Sequence, residues 1–534
     1  MRRFAQALAF VAPFALATLT HTQAASAFCG FYVAGADQKL YNNATMVVLM
    51  REGTRTVLSM QNNYQGPPEN FAMVIPVPVV LQKENVRTLS NEVFEKVDRL
   101  ASPRLVEYWE QDPCAPIRHD NWKRNRAAVD DDMESGAAPG GKGHGVKIEA
   151  QFKVGEYEVV ILSARDSAGL ETWLHEEKYQ IPAGAEPLLR PYVQSGSKFF
   201  VAKVDVKKVR FENGMAKLSP LRFHYDSEAF SLPVRLGMVN SSGMQDLIVH
   251  ILAMGQRYET ANYTNVAIPT NLDVKDSVRT QFPSFYAALF DRTVARHPGA
   301  AVTEYSWDAS TCDPCPGPAL EENDFATLGQ DVLPGGGNER MGGMVLTRLH
   351  LRYGKGALGE DLVFRAAPPI VGGREFVRDG GNLETGAVTD QVNNFQARYA
   401  IRHPWTGPVA CKDPHRGIWG GNPNGAPTEG VRAAENVAFA PRGGVDLVAM
   451  VARDNAETPI NSAPLISMPA VVAAGPENTS GPNTLPNGPP AAAPSGGCAG
   501  CHVGGQDSTE QTALGFLLAG LGALGMRNLR KQRR

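Results

Sequence analysis

The chain has 534 residues, 43% of them hydrophobic and 20% charged, enough apolar material for a large globular body. Its formal charge of -3 conceals seven cations at the two ends (Arg2, Arg3, Arg527, Arg530, Lys531, Arg533 and Arg534), without which the rest of the chain stands at -10. A body this acidic lacks the basic face that displaces phosphate counterions, so nucleic acid is excluded as its partner.

Residues 1–27 have the three parts of a secretory signal: Arg2-Arg3, an apolar run from Phe4 to about Leu19, and the small-residue site Ala25-Ser26-Ala27. Cleavage after Ala27 leaves Phe28-Cys29-Gly30 as the new start, and Phe28 is too bulky to precede a lipidated cysteine. The expected partners at this end are the secretion machinery and signal peptidase. Export also places the body cysteines in an oxidising compartment.

The globular body is expected over 28–455. Thr45 to Met50 and Arg55 to Gln61 are β-branched runs around a Gly53 turn, which predicts a hairpin. A third strand over Asn70 to Ile75 runs into Pro76-Val77-Pro78, where missing amide hydrogens confine the chain to an edge or end the ladder. Ser90 caps a helix with Val93, Val97 and Leu100 on one face. Residues 116–146 pass from basic to acidic to glycine-rich and read as a solvated insertion, without the ligand spacing of a calcium loop. Strands follow at Tyr157 to Ser163 and Lys198 to Val206, with helices near Leu170 to Glu176 and Leu188 to Val193. Further strands between Leu221 and Ile268 lead to a helix from Pro283 to Arg296, stopped by His297-Pro298-Gly299. The second half offers strands at Ala301 to Trp307, Met344 to Tyr353 and Val445 to Val451. The fold class is therefore α+β and strand-rich, with two packed subdomains split near 270–285.

Five cysteines lie in this body: Cys29, Cys114, Cys312, Cys315 and Cys411. Disulfides are the expectation, with Cys29 to Cys114 and Cys411 to Cys312 or Cys315 as one scheme, and a bridge within Cys312-Asp313-Pro314-Cys315 as the alternative. A sharper reading is zinc held by Cys312, Cys315, Cys411 and His415, whose local spacings suit that metal. No Gly-x4-Gly-Lys-Ser/Thr loop, His-Glu-x-x-His or Gly-x-Ser-x-Gly elbow occurs. His350 alternates with Arg348 and Arg352 and reads as the solvated face of its strand. Trp109, Trp173 and Trp307 read as core, and Gly335-Gly336-Gly337 and Gly420-Gly421 as turns.

Residues 456–497 are rich in Pro, Ala and Gly, too poor in large apolar groups to fold, and predict a disordered spacer. The tail, 498–534, begins with Cys498-Ala499-Gly500-Cys501 and contains the apolar stretch 513–526. As a helix that stretch reaches only about 21 Å, short of the roughly 30 Å of a bilayer core. Snorkelling by Arg527 lets it span, with the terminal cations left cytoplasmic. Cys498-x-x-Cys501-His502 is also the attachment pattern of c-type haem, which needs a folded pocket that a spacer and a membrane segment do not offer. No cofactor is expected.

The cysteines, apolar stretch and arginine cluster together resemble C-terminal sorting tags of the myxobacterial type (MYXO-CTERM). That resemblance implies an intramembrane sorting protease as partner and processing at Cys498 or Cys501, although the insert from His502 to Gln511 is longer and more polar than the pattern. The body resembles an uncharacterised bacterial family, domain of unknown function 2330. The resemblance is carried by Cys29-Gly30-Phe31, the 70–78 strand, and Trp307 followed by Cys312-Asp313-Pro314-Cys315. It is also carried by 362–365 with 368–373, and by Arg402-His403-Pro404-Trp405 with Cys411. It implies no reaction or ligand. The expected function is that of an exported, surface-displayed binding or structural protein without enzymatic activity. The alternatives are an exported enzyme with a site assembled from distant residues, and a haem protein.

Overall fold

Alternation of apolar side chains across a pleated strand explains the centre of the molecule, seen in a computed structural model. Residues 31–34, 41–65, 71–115, 146–179, 181, 184–212, 215–240, 243–335, 343–354, 357–375, 383–423, 431–434, 442–453 and 456–469 are described. They all belong to one compact unit that ends at Val471. The expected signal (1–27), residues 116–145 of the expected insertion, 470–497 of the expected spacer and the tail lie outside the described residues. The expectation of a spacer from 456 is corrected, because 456–469 folds against the body as a short helix, Glu457–Ile460, with Ile460 buried, and a strand, Leu465–Ser467, paired with Asn265–Ala267.

The predicted hairpin forms from strands Tyr41–Glu52 and Arg55–Gln65, with Glu52 opposite Arg55 and Gly53 at φ 56° in the turn. Strand Tyr41–Glu52 then pairs in parallel with Gln245–Met254, which pairs antiparallel with Met344–Tyr353, and that in turn with Ala301–Asp308. These strands are the middle of a 14-stranded sheet that takes hydrogen-bonded neighbours from both sides of residues 270–285. One face, with Val47, Leu49, Leu58, Val249 and Leu349, packs on the five-stranded sheet that contains Phe71–Val77 and Lys198–Val204. The other face, with Val48, Met50, Leu252 and Leu346, is covered by helices Asn91–Ala101 and Glu322–Leu328. Helix Phe282–Arg296 buries Phe285, Leu289 and Phe290 in a further apolar cluster with Val302 and Tyr399.

Ser90 caps Asn91–Ala101 by accepting from the Glu92 amide at 3.2 Å, and Val93, Val97 and Leu100 are buried. Helix Phe282–Arg296 has proline in its first turn and ends at His297. Phe71–Val77 is an interior strand, flanked by Phe31–Ala34 and Lys198–Val204, so of the two expectations at Pro76-Val77-Pro78 the edge does not hold and the end of the ladder does, since the pairing with Lys198–Val204 reaches Val77 and goes no further. One local reading is corrected. Val445 to Val451 is no strand: Asp446 caps a short helix, Leu447–Met450, through the Ala449 amide, and only Val451 makes a bridge, to Val274.

Candidate functional site

Strand Met344–Tyr353 places Arg348, His350 and Arg352 on one face, two residues apart. The sequence reading put this row in water, and the structure corrects it: two helices lie over it, leaving Arg348 and His350 0% exposed. Charges taken out of water persist only when paired. The first partner is Glu304, also 0% exposed. The register between Ala301–Asp308 and Met344–Tyr353 slips between Thr303 and Tyr305, so Glu304 is an extra residue in a β-bulge that re-aims its carboxylate. Glu304 accepts from Arg348 Nε at 2.6 Å, His350 Nδ1 at 2.8 Å and the Tyr286 hydroxyl at 2.5 Å.

The array extends in both directions. His350 Nε2 lies 3.0 Å from Asp246 Oδ1, and Asp246 also pairs with Arg352 and accepts from Arg442 Nη2 at 3.1 Å. Arg442 Nη1 donates to Asp291 at 2.6 Å. Arg348 pairs with Asp98 on helix Asn91–Ala101, and its Nη1 lies 3.3 Å from His250 Nε2. Both ring nitrogens of His350 face carboxylates, which only the doubly protonated ring satisfies as a donor. With that proton in place, four cations (Arg348, His350, Arg352, Arg442) balance four carboxylates (Asp98, Asp246, Asp291, Glu304).

Burial pushes the Glu304 carboxyl up, but His350 and Arg348, with the hydrogen bonds from His350 and Tyr286, outweigh it and leave the group at about 2. Burial lowers His350, and Glu304 and Asp246 together more than reverse this, so its pKa is raised. His250 is pushed well below the ordinary imidazole value by burial and by Arg348, so it is the neutral histidine of the pair. Tyr286 is raised by burial and by Glu304, which keeps its proton on the phenol. An imidazole between two carboxylates is suited to proton transfer. Here the ring is stacked on Phe290 at 3.8 Å between centroids and sealed from solvent, so it joins the covering helix to the sheet.

A second arrangement reaches the surface. Strands Arg104–Glu110 and Arg398–His403 run parallel, with His403 opposite Trp109. The chain then crosses 404–418 without regular structure before Trp419–Gly420 pairs back onto Glu110 and Trp109. A loop this long is ordered only if tied down. It is tied by a Cys114–Cys411 disulfide, by the His415 amide donating to the Pro113 carbonyl at 2.8 Å, and by Glu110 accepting from the Trp405 and Gly417 amides at 2.9 Å each. Those two amides, with the Arg416 guanidinium, hold the Glu110 carboxyl below its usual range. Trp109 stacks on His403 at 4.6 Å, and the Arg402 guanidinium sits 4.9 Å from the Trp419 ring centre. Gly407 lies under the Trp405 ring, where a side chain would come within 2.5 Å. Tyr108, Trp109, Trp405 and Trp419 are half-buried, with Val409 and Ile418 exposed beside them.

The cysteine expectations change accordingly. Cys114 pairs with Cys411, a combination the sequence did not suggest, and Cys312 pairs with Cys315, which was the alternative scheme. The zinc quartet is not assembled, since Cys312, Cys315 and Cys411 spend their thiols in these bridges and His415 is exposed. Among the described residues no group of three or more His, Cys, Asp or Glu is placed to hold a metal ion. Trp173 and Trp307 are buried as expected, whereas Trp109 belongs to the surface set. A shallow depression lined by Arg51, Glu52, Gln330 and Leu333 among others opens to solvent; Glu52 is already engaged by the Gly335 amide at 2.9 Å. Among the described residues no helix is long and apolar enough to cross a membrane. Ala27, Cys29, Cys498, Cys501, His502 and the apolar stretch 513–526 lie outside the described residues.

Residues 23–365 match the family described as "Uncharacterized protein conserved in bacteria (DUF2330)", and the chain belongs to it. The matched span includes Asp246, Glu304, Arg348, His350 and the Cys312–Cys315 loop, and it stops before 368–373, 402–405 and Cys411. No curated protein and no solved structure matches the chain.

Proposed function

We propose that this member of an uncharacterised bacterial family is an exported binding or structural protein, without enzymatic activity, that presents the stapled 404–418 loop to a macromolecular partner at the cell envelope. The observation that carries the reading is the contrast between the two arrangements. The groups suited to acid–base chemistry are sealed and ion-paired with one another, while Trp, Tyr and Arg, the residue types that dominate binding hot spots, cluster half-buried around an ordered loop. A disulfide closing that loop favours an oxidising compartment. In this reading the signal is removed after Ala27 and the tail passes through the inner membrane by 513–526. A sorting protease then acts at Cys498 or Cys501, and the body is released to the periplasm, outer membrane or cell surface.

The test is retention of the purified body on envelope fractions of its own host, compared with Trp405→Ala/Trp419→Ala. The pair is expected to reduce retention at least about tenfold, the scale of one or two hot-spot losses. Equal retention by a folded double variant would overturn the assignment of this surface.

A further inference from the structure

The two disulfides hold very different things. Cys114–Cys411 joins residues 297 apart and ties down the long loop, whereas Cys312–Cys315 closes a turn with a separation of 3. A bridge restrains the unfolded chain by an amount that grows with the logarithm of the loop it closes, so the short one contributes less to stability than the long one. We propose that Cys312–Cys315 is a thiol-exchangeable redox site that accepts electrons from a dithiol, and that Cys114–Cys411 is the permanent staple.

The surroundings assign the roles of the two sulfurs. Cys315 is exposed, while Cys312 is half-buried and packs against the apolar cluster under helix Asn91–Ala101. The turn is held by contacts that do not depend on the bond. Gln396 Nε2 donates to the Asp313 carbonyl at 2.7 Å, and Arg104 Nη1 to the Pro314 carbonyl at 2.8 Å. Arg104 is 0% exposed and is itself fixed by the Leu100 carbonyl. The turn therefore keeps its place when the bridge opens, held by two buried side chains and not by the bond itself.

A thiolate of the dithiol attacks Cys315 Sγ. A mixed disulfide forms there, the Cys312–Cys315 bond breaks, and Cys312 leaves as the thiolate. The second thiolate of the reductant then attacks its own sulfur in the mixed disulfide, closing the reductant's disulfide and releasing Cys315 as a thiolate. Two electrons pass to the bridge, and the two protons of the dithiol end on the cysteines or in solvent.

The purified, oxidised full chain is titrated with dithiothreitol, alkylated and mapped by peptide mass. Cys312 and Cys315 are expected to be labelled at dithiothreitol concentrations at least about tenfold below those needed for Cys114 and Cys411, with an unchanged near-ultraviolet circular dichroism spectrum. Reduction of both bridges together, or only with loss of the spectrum, would overturn the proposal, as would reduction of Cys114–Cys411 first. Cys312→Ser and Cys315→Ser, each challenged with glutathione disulfide and read at the 312–315 peptide, separate the sulfurs. The thiol left by Cys312→Ser is expected to couple at least about tenfold faster, and equal or reversed rates would overturn the assignment of Cys315 as the exchanging sulfur.

Discussion

Glu304 shows how much one side chain can organise. It sits on a bulge, is sealed from water, and accepts from an arginine and a histidine of the neighbouring strand and a tyrosine of the covering helix. Glu304→Gln keeps the shape but leaves Arg348 and His350 facing a neutral group, and is expected to cost about 3–5 kcal/mol, the penalty of breaking a buried pair from one side. Thermal or urea unfolding checks this. The pH dependence follows from the same residues. Glu304 is lowered from 4.5 to about 2, so its contribution is complete above about pH 4.5 and is lost as pH falls toward 2. His350 is raised from 6.5, so its contribution is complete below 6.5 and is lost as pH rises through the elevated value. The melting temperature is therefore expected to be highest between about pH 4.5 and 6.5 and to decline on both sides, with the acid limb flattened in Glu304→Gln. A wild-type profile level from pH 6.5 down to 2 would contradict the assignment. None of this was visible in the sequence. Arg348-x-His350-x-Arg352 has the alternation of a solvated strand face, and a bulge at Glu304 depends on a partner strand some forty positions away.

At the level of elements, local signals were readable where local chemistry decides the outcome. Ser90 with its apolar spacing, the Gly53 turn and the proline start at 282–296 all give the expected hairpin and helices. Val445 to Val451 departs from the expected strand because its apolar residues do not reveal that Asp446 caps a turn. Pro76-Val77-Pro78 ends a ladder and does not mark an edge, and only the neighbouring strand Phe31–Ala34, some forty residues upstream, decides between the two. The helix Phe282–Arg296 owes its position to Phe290, which packs on His350, and Phe290→Ala is expected to cost about 3–5 kcal/mol, as large-to-small aromatic changes in a core do. The 404–418 loop depends on its bridge. Cys114→Ser/Cys411→Ser is expected to lower stability by about 2–4 kcal/mol. It should also open the chain to trypsin after Lys412 or Arg416, where the wild type resists; equal resistance would show that the loop is held without the bridge.

Across the whole molecule, the α+β, strand-rich class was legible because the strand-like runs outnumber the helical ones. The association of the 14-stranded sheet was not, since its central partners come from residues 41–52, 245–254, 301–308 and 344–353. The family resemblance of the body likewise rested on short motifs, of which those up to residue 365 fall in the matched span. Cysteine pairing escaped the sequence for the same reason: Cys114 and Cys411 are brought together by parallel strands, not by spacing. We propose a body that works outside the cytoplasm, stapled and cut free of its tail. The most direct measurement is fractionation of the native host with non-reducing peptide and terminal mass mapping, for wild type, Cys498→Ala and Cys501→Ala. The account predicts an envelope protein that starts at Phe28, carries Cys114–Cys411 oxidised and ends upstream of Arg534, with the cut lost in one of the two variants. A cytoplasmic chain that retains Met1, reduced thiols and an intact terminus at Arg534 would contradict it.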